Sequence, residues 1–172
     1  MLFKKIEISN VGPISDLAIE LPKALGKPKP LVIVGENGSG KSILLAHLVN
    51  ALVVGKQEVY EDVEVEKGRV FKYRSPHYIK SGEHFSFSCV EFETGEQVKE
   101  WQLLFSRNDF EEKLGYTPLK KEWNKIPGQE SSQFDSSLRA NSENTKNIFS
   151  NQCCLYFPVN RFEEPAWLNL IN

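Results

Sequence analysis

The hydrophobic positions of the chain switch between a period of two and a helical period, and the switches divide it into elements. Residues 2–9 alternate, with Leu2, Ile6 and Ile8 on one face and Lys5 and Glu7 on the other, which predicts a half-buried strand. Asn10-Val11-Gly12-Pro13 breaks the pattern. Leu17, Ile19 and Leu21 then alternate against Ala18 and Glu20, so a second strand pairs antiparallel with the first through that turn. Three prolines, three lysines and a glycine make residues 22–30 a loop, and Pro30 marks the start of the next strand. Leu31-Val32-Ile33-Val34 reads as that strand, short and buried. Residues 43–54 read as a helix, apolar almost all round and therefore buried on several sides, with Gly55 as its C-terminal cap.

Beyond the helix, residues 58–67 are acidic and weakly patterned, a solvated connection. From 69 to 106 the period is two again: Phe71 and Tyr73 alternate with Lys72 and Arg74, Phe85, Phe87 and Cys89 with Ser86 and Ser88, and Trp101, Leu103 and Phe105 with Glu100, Gln102 and Leu104. Glu93-Thr94-Gly95-Glu96 supplies hairpin-turn chemistry between the last two runs, so the expectation is an antiparallel sheet. The basic and aromatic run 73–80 suits a nucleic-acid backbone or, more plainly, a loop between strands. A short helix is expected at 108–114, ended by Gly115, and Thr117-Pro118 caps and opens another that stops before Pro127. Residues 128–151, with six serines and few apolar side chains, read as a mobile polar loop, lid or linker. Cys153-Cys154-Leu155-Tyr156-Phe157 reads as a buried strand ended by Pro158, and a last helix is expected after Pro165.

Composition narrows the class. At 172 residues, 40% hydrophobic and 26% charged, the chain is expected to be a single unit over 1–172, and a net charge of −2 with mixed signs gives no generic nucleic-acid or membrane surface. The N-terminus carries Lys4 and Lys5 without an apolar run behind them, and no segment approaches membrane-spanning length, so a soluble cytoplasmic protein is expected. Cys89, Cys153 and Cys154 lack the spacing of a disulfide framework or a zinc site, and Cys153 and Cys154, heading an apolar run, read as small buried hydrophobes in preference to a redox pair. His47, on the helix, reads as packing or capping.

The chemistry lies between the predicted strand at 31–34 and the helix. Gly35-Glu36-Asn37-Gly38-Ser39-Gly40-Lys41-Ser42 fits the phosphate-loop pattern G-x-x-x-x-G-K-[ST], in the strand-to-helix context that the pattern requires. Glycines at 35, 38 and 40 let successive N–H groups line one concavity, and the following helix N-terminus favours anions. The predicted nucleotide contacts are Gly35, Glu36, Asn37, Gly38, Ser39, Gly40, Lys41, Ser42 and Ile43. Lys41 is the catalytic candidate, reaching the β- and γ-phosphates of ATP, and the Ser42 hydroxyl ligates Mg²⁺.

A hairpin ahead of this loop and an antiparallel sheet after its helix resemble the head of ABC-type ATPases, in the soluble branch with structural-maintenance-of-chromosomes (SMC) proteins, double-strand-break repair ATPases and overcoming-lysogenization-defect nucleases. Ile6-Glu7-Ile8-Ser9-Asn10-Val11-Gly12-Pro13-Ile14, Val34 with the loop 35–42, and Leu155-Tyr156-Phe157-Pro158-Val159-Asn160-Arg161 carry the resemblance. It implies an α/β P-loop NTPase fold: an ABC-ATPase-like N-terminal lobe with an antiparallel β subdomain beside the P-loop strand and helix. For the family's lobe-switch glutamine it offers Gln152 or Asn160, each also readable as a surface amide flanking a strand. Asn10 is placed near the base or phosphates, though Asn after a strand is also a turn former.

An apolar run ending in Asp-Glu and a Leu-Ser-Gly-Gly type segment are not found, so the resemblance implies a partial ATPase, its second lobe or a second head supplying the acidic metal and water residues, with a homodimer of heads in the complete protein. Three functions follow as expectations. The first is an ATP-binding lobe whose complete form hydrolyses ATP with Mg²⁺ for DNA-associated repair or antiviral defence against phage, DNA binding resting on resemblance alone and no membrane being involved. The second is a regulatory module that binds ATP without hydrolysing it. The third is a small phosphate-loop kinase, which the antiparallel sheet and the want of an arginine-rich lid disfavour.

Overall fold

A computed structural model describes residues 3–24, 27–57, 59, 79–119, 122–140, 143, 145, 146 and 149. The expectations for 60–78 and 151–172, including the strand at 153–157, the remaining two cysteines, Gln152 and Asn160, fall outside the described residues. Alternation at the N-terminus produces the strands expected: β1 (Phe3–Val11) and β2 (Ile14–Glu20) pair antiparallel, with Ile6 opposite Ile19 and Ile8 opposite Leu17. Residues 22–30 hold a minimal hairpin of β3 (Lys23–Ala24) and β4 (Lys27–Pro28). After residues 35–40 come α1 (Lys41–Gln57), β5 (Phe85–Phe92), β6 (Gln97–Leu103), α2 (Arg107–Leu114) and β7 (Ser132–Ser136). The large sheet has the order β2-β1-β5-β6-β7, antiparallel throughout. The β5–β6 turn is the one expected, with Gly95 at φ +93°.

Because side chains alternate along each strand, the sheet builds a core on each face. One face brings Ile6, Ile8, Val90, Phe92 and Val98 against Leu44, Leu48, Ala51 and Val54 of α1. Phe87, Cys89, Trp101 and Leu103 point the other way and pack with Phe110 of α2, Trp123 and Ile126. The aromatic rings meet closely there, Phe87–Trp101 at 4.6 Å and Phe110–Trp123 at 4.9 Å between centroids, and Trp123 Nε1 donates to Glu111 Oε1 at 2.6 Å. Helix α2 starts where Ser106 Oγ accepts from the Asp109 N–H and stops at Gly115, φ +67°, as the sequence predicts.

Several expectations are corrected. Residues 31–34 are not in a strand, and Val32 and Val34 are 78% and 88% exposed; only Ile33 packs on the core. A central strand needs a hydrogen-bonded neighbour, and among the described residues no strand pairs with this segment. Gly55 does not cap α1 but lies inside it, buried against the ring of Phe149. In place of a helix opening at Thr117-Pro118 there is one 3-10 turn at Trp123–Lys125, anchored by the buried Trp123 and ending at the extended Ile126 before Pro127. Within 128–151, read as a polar loop, β7 pairs with the open edge of β6, Phe134 and Leu138 join the α1-side core, and Thr145 Oγ1 donates to the Leu138 carbonyl at 2.8 Å. Ladder hydrogen bonds and two apolar anchors outweigh the polar composition. Among the described residues no helix is long and apolar enough to cross a membrane.

Candidate phosphate-binding site

Residues 35–40 lead from the exposed 31–34 segment into α1. Gly38 and Gly40 take φ +82° and +96°, a region that a side chain occupies only under strain. Contact also restricts the loop: a Cβ on Gly35 would stand 2.8 Å from Ser39 Oγ, and one on Gly40 would stand 2.7 Å from Ile14 Cγ1 and 3.2 Å from Pro13 Cγ. The Ser39 N–H closes the tip of the loop on the Glu36 carbonyl at 3.2 Å. Helix α1 begins immediately, its first backbone bond running from the Leu44 N–H to the Gly40 carbonyl at 2.9 Å. Helix geometry therefore leaves the amides of Lys41, Ser42 and Ile43 without an intrahelical acceptor. No acidic side chain stands in that first turn to compete for them.

Lys41 folds over its own loop, Nζ donating to the carbonyls of Gly35 at 2.8 Å and Glu36 at 2.7 Å. The ammonium is thus held on the loop by two neutral acceptors that an anionic oxygen would outcompete. Glu36, Asn37, Gly38, Ser39 and Ser42 are exposed, while Ile43 is half-buried and packs on the α1-side core, pinning the helix start to the sheet. Among the described residues no group of three or more His, Cys, Asp or Glu side chains could hold a metal ion. A divalent ion here would take the Ser42 hydroxyl as its protein ligand.

Asn10 is the next-to-last residue of β1, ahead of the turn at Gly12-Pro13. Its φ is +55°, and its Nδ2 donates to Glu83 Oε2 at 3.4 Å. The sequence gives no hint that Pro13 and Ile14 of this turn support Gly40, because that contact joins two elements far apart in the chain. His47 is buried on α1, as a packing role requires.

A concavity of about 430 Å³ opens on the α2 side of the sheet, lined by Lys5, Glu7, Cys89, Lys99, Leu119 and Glu122 among others. Its charges satisfy one another: Lys5 pairs with Glu7, whose hydrogen bond and charge raise the lysine's pKa, and Lys99 pairs with Glu122. Burial pushes the Cys89 thiol up to about 12, so it is no nucleophile at neutral pH. The loop, by contrast, combines helix-start amides with a lysine held by neutral acceptors.

No curated protein matches the chain. The family model described as an AAA domain matches residues 5–172, and the chain therefore belongs to the AAA domain family, a membership that implies nucleotide binding or ATPase activity.

Proposed function

We propose that the chain binds ATP with Mg²⁺ through residues 35–43. The observation that carries this reading is that two left-handed glycines, the Lys41 ammonium and the first amides of α1 fall within this one largely exposed stretch, with Lys41 Nζ folded back on the carbonyls of Gly35 and Glu36. The glycines present N–H groups to the phosphates, and Lys41 exchanges its hold on the Gly35 and Glu36 carbonyls for a β- or γ-phosphate oxygen. Ser42 ligates Mg²⁺, which neutralises phosphate charge when bound. Replacing Lys41 by Ala removes a charge-assisted hydrogen bond and should weaken Mg·ATP binding on the order of ten- to a hundredfold. Isothermal calorimetry checks it, with circular dichroism confirming that the fold persists; unchanged affinity overturns the reading.

Within the family we assign the chain to the SMC-like branch, near the overcoming-lysogenization-defect ATPases. Residues 6–14 and 155–161 support this by their resemblance. In the assembled protein a second lobe or head supplies acidic residues and completes Mg²⁺-dependent hydrolysis. The exposed apolar Val32 and Val34 beside the loop favour such a partner. Gln152 or Asn160 is the candidate γ-phosphate sensor on the same resemblance, which also suggests DNA-associated work in the cytoplasm.

A further inference from the structure

The β1–β2 turn on which Gly40 rests is itself gripped by a distant part of the chain. Val11 forms an antiparallel bridge with Ile79, and the Lys80 N–H donates to the Asn10 carbonyl at 2.9 Å. Side chains add two bonds, from Lys80 Nζ to Ser15 Oγ and from Asn10 Nδ2 to Glu83 Oε2 at 3.4 Å. Residues 80–83 form a tight turn of their own, closed from the Glu83 N–H to the Lys80 carbonyl at 3.0 Å, with Gly82 at φ +88°. The grip thus reaches Asn10 and Val11 on β1 and Ser15 on β2.

The β1–β2 turn has reason to need holding. Asn10 and Gly12 both sit at φ +55°, and a left-handed Asn persists only where its surroundings fix it. Across the turn, Pro13 and Ile14 approach Gly40 so closely that a Cβ there would overlap Ile14. A turn that drifts cannot leave Gly40, or the first amides of α1 behind it, undisturbed.

We propose that residues 79–83 are a positioning clamp for the phosphate loop, Lys80 and Glu83 holding the β1–β2 turn against Gly40 although neither lies in the loop. The effect on ATP affinity rests on the function proposed above, whereas the restraint on the loop does not. By linkage, a phosphate group that orders the loop tightens the clamp by the same factor.

The test uses the double variant Lys80→Met/Glu83→Ala, which deletes both side-chain bonds and keeps the main-chain ones. Hydrogen exchange followed by mass spectrometry compares peptides covering residues 38–45 with peptides covering 85–103. Exchange over 38–45 should rise about five- to tenfold, the effect of one or two lost hydrogen bonds, with 85–103 unchanged. Mg·ATP affinity should fall by a similar factor, while Lys80→Arg, which keeps a donor, should match the wild type. Unchanged exchange over 38–45, or equal acceleration in both regions, overturns the clamp. A wild-type protein that fails to bind ATP refutes the proposed function, and the exchange result still decides the clamp.

Discussion

At Gly55 helix propensity and packing pull in opposite directions. Ala in place of Gly inside a helix is worth about 1 kcal/mol, and Gly55 lies within α1 rather than in a left-handed cap. Against that gain, a Cβ at this position would stand 2.0 Å from Cζ and 2.3 Å from Cε2 of Phe149, whose own ring is buried. Forcing a methyl group into a packed core costs about 1–3 kcal/mol, more when the obstacle is a ring with little room to retreat. Gly55→Ala should therefore destabilise the protein by about 1–2 kcal/mol in chemical denaturation, the packing loss exceeding the propensity gain. Combining it with Phe149→Leu should return part of the loss. A Gly55→Ala protein more stable than wild type would mean that the ring is not there.

Among the elements, those legible in the sequence are those whose pattern is local. β1, β2, β5 and β6 alternate because each has one face on the α1-side core, and the turn residues between them name the pairings. Helix α1 and the loop before it are legible for the same reason, since spacing and glycine positions are properties of consecutive residues. Burial that depends on a neighbour is not. Residues 31–34 have the β-branched, apolar character of a central strand, yet Val32 and Val34 are exposed and only Ile33 packs on the core; β7 has the composition of a loop, yet it completes the sheet. Likewise, Pro13 and Ile14 support the loop through a tertiary contact that no local spacing encodes. The 31–34 placement makes an unusual demand on four apolar residues. Val32→Thr and Val34→Thr should each change stability by no more than about 0.5 kcal/mol, as exposed positions do. Ile8→Ala, at a side chain with no exposed surface, should cost about 2–5 kcal/mol. Denaturation midpoints measured on the three variants separate the cases, and a Val34→Thr cost approaching that of Ile8→Ala would restore the segment to the core.

For the molecule as a whole, the sheet is shared between two cores, and the candidate site touches only one of them. Lys41 and Ser42 open the helix whose Leu44, Leu48, Ala51 and Val54 pack with β1 and β5, while Trp101 and Trp123 report from the opposite face. A ligand held by the loop binds the folded chain alone, because the loop has this conformation only when α1 is docked and Gly40 rests against Pro13 and Ile14. Mass action then stabilises the fold by about 2.7 kcal/mol at a nucleotide concentration a hundred times its Kd. In a domain of this size each kcal/mol moves Tm by about 2–4 °C, so Mg·ATP at that concentration should raise it by about 5–10 °C, and Lys41→Ala at the same concentration by much less. Tryptophan fluorescence of a Trp167→Phe variant is the useful probe, since the two remaining tryptophans, Trp101 and Trp123, lie across the sheet from α1 and see the ligand only through global unfolding. Were calorimetry to find ATP bound while the tryptophan transition stayed fixed, α1 and the loop would unfold apart from the aromatic core. The five strands would then not be a single cooperative unit, and the stability of the site would have to be read from the α1-side core alone.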